Sequence, residues 1–352
     1  MSALPATCVP PPPLTVAKLR HDADQFNYLQ SCGILGPSYG AIAEYYRHLA
    51  SQLSASKQER REHWQPAELR AIGNIYNCNV FQRHAPMLAQ PYGASWSGAS
   101  VESRYFARRP NIVVIDDFLS AQALHSLRAY CLESTIWNSL RYSHGRLGAL
   151  YRNGLRCPLL QQLADSLAAA LPRLIGQRHP LTQLWAYKYP AHMPGDDVHA
   201  DFAAVNVNFW ITPDAANLDP ASGGMRIYDV AAPPDWHFTD YNRRPALIRR
   251  YLAAMGARAR YIPYRQNRAI IFDSDLFHGT AACHFRDDYE SRRINITLLY
   301  GQRDADHTST MSASTTASQT VTSATSFIEG RADSAFENRA WRSAALRRPR
   351  RS

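Results

Sequence analysis

The triplet His199-Ala200-Asp201 sets an imidazole and a carboxylate two residues apart. In an extended strand such residues project from one face, with Ala200 turned away. A small middle residue suits a crowded site, and two facing ligands make half of a mononuclear metal site. The triplet alone decides little. With 13 His and 29 acidic residues in 352 positions, chance supplies about one His-x-acid triplet, and the chain has one. A third ligand must come from elsewhere. The strongest candidate is His278 in "AIIFDSDLFHGT", where an apolar strand over 269–272 runs into a short polar turn and delivers a His at a mouth. Asp273 and Asp275 read as residues of that turn.

Two His and one carboxylate on one side of an ion leave open positions opposite. That is the donor set of non-haem Fe(II) oxygenases, although zinc accepts the same ligand types. The segment "RRINITLLYG" then predicts a strand in which Arg293, Asn295 and Thr297 share one face. An Arg inside a β-sandwich is costly unless it meets an anion, and its fork matches a carboxylate. A buried carboxylate near the metal is therefore expected, either a protein Asp or the far end of a dicarboxylate co-substrate. Arg292 faces the other side of the strand.

The elements that must position these residues divide the chain. The first 37 residues, with proline at each of 10–13, are expected to be largely disordered. A helical region follows over 38–100, led by "YGAIAEYYRHLASQL" with apolar residues at three and four spacing. Residues 112–115 read as a buried strand, and Ser120 as the cap of the next helix. Pro158 sits in the first turn of a further helix that Pro172 must end. After Pro180, "LTQLWAYKY", "AVNVNFWIT", "GGMRIYDV", "ARYIPY", "RAIIFDS" and "RINITLLYG" are short β-branched and aromatic runs between turn residues. They predict a β-sandwich or barrel, interrupted by one helix near 244–255. Residues 302–352 are low in complexity, basic at the end, and expected to be disordered.

Bulk properties exclude several classes. No apolar run approaches the roughly 18–20 residues that span a bilayer, and the start lacks a secretory signal. The chain reads as soluble and cytoplasmic, with no membrane role. The six cysteines, Cys8, Cys32, Cys78, Cys131, Cys157 and Cys283, form no Cys-x-x-Cys pair, against a zinc knot or disulfide scaffold. Net charge is +10, but only Lys18, Lys57 and Lys188 are lysines. An Arg bias without interleaved aromatics points away from nucleic acid.

Taken in order, "HAD", "GGMRIYD", "IIFDSDLFHGT" and "RRINIT" resemble the Fe(II)/2-oxoglutarate-dependent dioxygenases over about 110–301. The set looks closest to the prolyl-hydroxylase-like branch, and "RINIT" resembles the Arg-x-Asn-x-Thr strand of the alkylation-repair dioxygenases. The resemblance implies an α+β fold: a double-stranded β-helix, jelly-roll or cupin-like, with flanking helices and a small helical N-terminal region. It implies a dioxygenase domain over 101–301, with His199, Asp201 and His278 as catalytic metal ligands for Fe(II). Arg293 would grip the distal carboxylate of 2-oxoglutarate, with Tyr189, Tyr187 and Asn295 as further co-substrate contacts. Where the repair branch has an Asn on the preceding strand this chain has Tyr, and where it has a second Arg this chain has Leu299. Both departures point away from repair chemistry. Relatives that halogenate lack the carboxylate ligand, so Asp201 favours hydroxylation. Dioxygen would be the oxidant and ascorbate a supporting reductant.

The substrate class left open by the resemblance is a small molecule or a peptidyl side chain. The long segment between Tyr228 and Tyr261 is a candidate lid, with Trp236 and Arg243 or Arg244 as candidate substrate contacts, or else simple packing outside the sandwich. Asn206 and Asn208 read as polar cavity lining, or else as ordinary structural hydrogen bonders. His192, His237 and His284 fit no motif and read as structural or exposed. Two other classes stay open. A cupin-like enzyme holding zinc or manganese would need no 2-oxoglutarate and would pair Arg293 with a protein carboxylate. A non-catalytic binding module would carry the same residues as a vestigial site.

Overall fold

The computed structural model describes residues 11–303 apart from 141, 196 and 197. The proline-rich start and the low-complexity tail expected to be disordered lie largely at 1–10 and 304–352, outside the described residues. From residue 11 onward that expectation is corrected. Strand β1 (Leu14–Thr15) and helix α1 (Val16–Ser31) follow the proline run directly. Thr15 caps α1 by accepting from the Lys18 amide at 3.2 Å. Helix α2 (Ser38–Ala55) packs on α1, burying Leu19, Ala23 and Phe26 against Tyr46, Leu49 and Leu53. Strand β2 (Arg60–Arg61) pairs with β1, and α3 (Pro66–Ile72) closes this small core. The rest of the expected helical region is turn and loop. The expected boundary at 100 falls inside α4 (Gly98–Ala107).

The remaining chain builds two facing antiparallel sheets. In order they are β3 (Ile112–Ile115), α5 (Ala121–Glu133), β4 (Leu147–Leu150), α6 (Pro158–Ala170), β5 (Leu181–Lys188), β6 (His192–Met193), β7 (Val205–Trp210) and β8 (Met225–Ala231). Then come α7 (Phe238–Arg243), α8 (Pro245–Ala254), β9 (Ala259–Ile262), β10 (Ala269–Asp273), β11 (Leu276–Thr280), β12 (Cys283–His284) and β13 (Ile294–Tyr300). The six-stranded sheet runs β3-β10-β7-β13-β5-β4. It faces β11-β8-β9, with β12-β6 alongside. From β5 onward the chain crosses repeatedly between the two faces, which is the winding of a double-stranded β-helix.

Alternation along the central strands explains both faces. On β13, Ile294, Ile296, Leu298 and Tyr300 pack outward with Leu127 of α5 and Leu163 of α6. The Tyr300 hydroxyl donates to the Ala164 carbonyl at 3.0 Å. On β7, Val205, Val207 and Phe209 join the same outer core, while Trp210 belongs to the inner one. Most of what these strands otherwise turn inward is polar: Asn206 and Asn208 from β7, and Asn295 and Thr297 from β13, all buried. Ser120 and Pro158 begin α5 and α6 as expected. Among the described residues no helix is long and apolar enough to cross a membrane.

Helix α1 docks against the β-core through polar contacts. Gln25 donates to the Leu132 and Ser134 carbonyls, and Asp24 pairs with Arg292 at 2.8 Å. Lys18 reaches both Asp22, at 2.8 Å, and Asn138, at 3.1 Å. His21 lies in this interface with its ring 5.6 Å from that of Tyr289, and its Nε2 has no hydrogen-bond partner among the described residues. Burial first, then the charges of Lys188, Lys18 and Arg292, push the His21 pKa well below 6.5. The unfolded chain therefore takes up a proton as pH falls through 6.5 while the folded His21 stays neutral, so stability is lost in that direction. Thermal melts between about pH 7 and pH 5 should show a slope that His21→Asn flattens, by at most about 1.4 kcal/mol per pH unit. Equal slopes in the two proteins would show that His21 takes no part.

Candidate metal centre

His199 and His278 are held together by their main chains. Each amide donates to the other's carbonyl, at 2.9 and 2.8 Å. This isolated antiparallel bridge sets the two imidazoles side by side, with ring centroids 4.7 Å apart. The triplet is thus not a regular strand, but its alternation holds. Ala200 turns away and packs with Tyr241, Ile248 and Phe277. Its amide donates to the Tyr241 carbonyl, and Asn242 donates to its own carbonyl. Helices α7 and α8 therefore brace the triplet from outside. The Asp201 amide is tied to the Ser274 carbonyl at 3.1 Å.

One ligand atom from each of His199, Asp201 and His278 lies within 4.8 Å of the other two. His278 Nε2 is 3.4 Å from Asp201 Oδ2, and His199 Nε2 is 4.0 Å from Asp201 Oδ1. His278 stands mid-strand in β11 and is buried, which corrects the expectation of a His at an open strand end. The turn at Ser274 and Asp275 is so short that the chain has already entered the facing sheet, as β11, before reaching His278. His278 Nδ1 lies 2.9 Å from the Leu276 carbonyl. That contact favours a proton on Nδ1 and leaves the Nε2 lone pair aimed at the site. Burial alone would raise the Asp201 pKa. In the metal-free protein with both imidazoles protonated, hydrogen bonding from His278, the charges of His278 and His199, and the Asn206 amide together hold it below the usual carboxylate value.

Asn206 donates to Asp201 Oδ2 at 2.8 Å. Sequence reading left Asn206 as cavity lining or a structural hydrogen bonder and could not name its partner, which is fixed by tertiary register. A group that only orients a metal ligand typically sets 10- to 100-fold in affinity. Asn206→Ala is expected to weaken metal binding by about 10- to 100-fold with little loss of fold, checked by competition with a metal-sensitive dye. An unchanged affinity would make Asn206 a structural residue alone.

Arg293 is fully buried and points inward, whereas Arg292 turns outward to Asp24. Its Nε donates to the Gly223 carbonyl at 2.7 Å and its Nη1 to Asn295 Oδ1 at 3.3 Å. The rings of Tyr189, Trp210 and Tyr264 stand 4.4, 5.4 and 5.8 Å from its guanidinium carbon. No carboxylate pairs with it among the described residues. Gly223 has φ +76°, and a Cβ there would strike the Phe285 ring. The glycine pair of "GGMRIYD" thus lets the backbone carry a carbonyl to the guanidinium. A polar ladder continues from Arg293 through Asn295 and Thr297 to Asn208 on the neighbouring strand.

The other expected residues fall in different places. The Tyr189 hydroxyl sits 3.2 Å from Thr280 Oγ1, just past His278, so Tyr189 spans from Arg293 toward the metal ligands. Tyr187 lies further toward β4, with its hydroxyl 3.1 Å from that of Tyr142 and the Arg146 guanidinium over its ring. Asn295 acts on Arg293 itself. Trp236 packs on Tyr251 and Phe277 outside the sandwich. Arg244 pairs with Asp240, and Arg243 lies over Phe238. These three belong to packing and not to the inner face. His192 and His284 face each other across β6 and β12, and His237 caps α7. Thr280, Gly223, Trp210 and Tyr264 were not singled out by sequence. Only Thr280 and Gly223, lying within the motifs, carried any signal.

No family model matches the chain, and no curated protein does. Solved structures do match in part. The α-ketoglutarate-dependent epimerase SnoN from nogalamycin biosynthesis aligns with 58% of this chain and 83% of its own, at 16% identity and TM-score 0.42. A Trichoplax adhaerens prolyl hydroxylase in complex with a hypoxia inducible factor peptide fragment aligns with 60% of this chain and 94% of its own, at 14% identity and TM-score 0.41. HygX from Streptomyces hygroscopicus, with nickel, 2-oxoglutarate and hygromycin B bound, aligns with 59% and 89%, at 14% identity and TM-score 0.41.

Proposed function

We propose that the chain is a non-haem Fe(II)/2-oxoglutarate-dependent oxygenase that hydroxylates a C–H bond of a small molecule or a peptidyl side chain. The metal donor set fits: two imidazole nitrogens and a carboxylate on one side, the carboxylate held charged and one tautomer set by a carbonyl. Zinc would accept the same three groups. The observation that carries the reading is Arg293, a fully buried guanidinium with no carboxylate partner among the described residues, joined by polar side chains to the strand beside the metal ligands. A zinc or manganese enzyme without co-substrate would leave that charge unpaired, at considerable cost.

In this reading His199, Asp201 and His278 hold Fe(II), and Arg293 receives the distal carboxylate of 2-oxoglutarate in a bidentate fork. Iron with 2-oxoglutarate and dioxygen supplies oxidation of an unactivated C–H bond, with succinate and carbon dioxide as co-products. The protein's own part is positioning. Asn206 fixes the Asp201 carboxylate, Asn295 and Gly223 fix the guanidinium, and Tyr189 bridges the two ends. The aromatic cage of Tyr189, Trp210 and Tyr264 excludes water from the anion end, where a low dielectric strengthens the ion pair.

Anaerobic titration with Fe(II), with and without 2-oxoglutarate, tests this directly. A weak visible charge-transfer band should require both and vanish in His199→Ala. A folded protein that binds zinc tightly and never shows the band would sink the oxygenase reading. Succinate formation then reports turnover, and the mass of the substrate product tells hydroxylation from another oxidative outcome.

A further inference from the structure

The two sheets end side by side on β3 and β9, each paired on one edge only. Between them lies a groove of about 690 Å³. Arg104, Arg108 and Arg109, at the end of α4 and just beyond it, line one wall; Arg258 and Arg260 line the other. All five are exposed, and none forms an ion pair among the described residues. The one acid lining the groove, Asp229, already accepts from the Arg258 amide at 2.7 Å. The floor is apolar, made by Ile112, Val114 and Ile227, and these pack into the inner core. Ile227 lies directly across from Arg260 on one side and His278 on the other. The groove therefore stands about 10 Å, two strand spacings, from the candidate metal centre.

We propose that this groove docks an extended acidic peptide segment of a partner protein, which adds along the free edge of β9. Three features choose that occupant. Guanidiniums on two walls match carboxylates in forked geometry. A strand bound at a free edge presents alternate side chains to opposite sides, so apolar residues can meet the floor while acids meet the arginines. No aromatic residue lines the groove, so it lacks the stacking platform that single-stranded nucleic acid uses. Charged residues also guard sheet edges against unwanted pairing. Guarding alone does not call for five cations converging on a concave apolar floor. Docking here needs no metal and stands whether or not the iron reading does.

The test is fluorescence anisotropy of a labelled peptide about ten residues long, alternating Glu with Val or Thr, titrated with the full chain. Saturable binding is expected, weakened by at least about tenfold in Arg258→Glu/Arg260→Glu and in the opposite-wall variant Arg108→Glu/Arg109→Glu. Arg70→Glu, an exposed change on α3, should leave it intact. Hydrogen exchange should show the β9 amides that face away from β8 protected only in the complex. Unchanged affinity in both groove variants overturns the proposal. So does equal binding of the Glu→Gln peptide, binding that leaves those β9 amides unprotected, or displacement by a single-stranded oligonucleotide of equal charge at lower concentration.

Discussion

Replacing Arg293 by Met is expected to remove 2-oxoglutarate binding while leaving the metal-free protein as stable as before, or more so. The two effects have opposite signs because the guanidinium is buried without a counter-ion. In the free protein its desolvation is offset only by two hydrogen bonds and three aromatic rings. Exchanging buried charge for an apolar residue of similar volume is often neutral, or stabilising by about 1–4 kcal/mol. Met has the length and flexibility to fill the space among Tyr189, Trp210 and Tyr264. Against this, the Gly223 carbonyl loses its partner, at about 1–3 kcal/mol. Co-substrate binding has no such compensation. Deleting one member of a buried charge pair costs about 2–5 kcal/mol, roughly 30- to several thousand-fold in affinity. Thermal melts without oxygen, with and without 2-oxoglutarate, separate the two effects. Wild type should gain about 2.7 kcal/mol at a hundredfold excess over its Kd, and the variant less than about 0.9 kcal/mol at the same concentration. A variant that melts far below wild type without ligand would mark Arg293 as a structural cation, and the co-substrate reading would fall with it.

That asymmetry also explains why Arg293 was legible in the sequence. An Arg on the inward face of an otherwise β-branched strand is costly, and the cost shows without coordinates. His278 was legible in the same way, as a polar residue beside an apolar strand, whereas His199 and Asp201 gained meaning only together with it. Strand alternation was legible too, because β13 and β7 are buried on both faces and the polar residues fall on one parity. Helix α1 was not. Its buried positions include Lys18, His21, Asp22 and Gln25, which break the apolar periodicity, and the proline run before it signals disorder. Those residues are polar because they meet Asn138, Tyr289 and the carbonyls of Leu132 and Ser134, none of them near in sequence. The partnership of Asn206 with Asp201, and the rings of Trp210 and Tyr264 around Arg293, depend on register between distant strands and left no mark on local pattern. Trp236 was readable either as a substrate contact on a lid or as packing outside the sandwich, and its ring lies against Phe277.

The two histidine ligands should differ in a way their chemistry alone does not foretell. Removing either imidazole should lower metal affinity by more than the 10- to 100-fold typical of a residue that merely orients a ligand. The His199 side chain is 29% exposed, whereas that of His278 is 5% exposed. His199→Gly therefore opens its ligand position to solvent, and free imidazole can enter and restore metal binding. The mutual backbone bridge survives either change, since it uses only main-chain atoms. His278→Gly instead leaves a hole behind Asp201 and beside the Phe272 ring, whose centroid lies 4.9 Å from that of His278. An enclosed cavity of that kind costs stability, about 24 cal/mol for each Å³ left empty, and admits imidazole poorly. Metal titrations with and without added imidazole should show rescue for His199→Gly alone, with the lower melting temperature belonging to His278→Gly. Rescue of both would mean that His278 is reached from solvent. Rescue of neither, with both proteins folded, would mean that the open side of the centre lies away from His199.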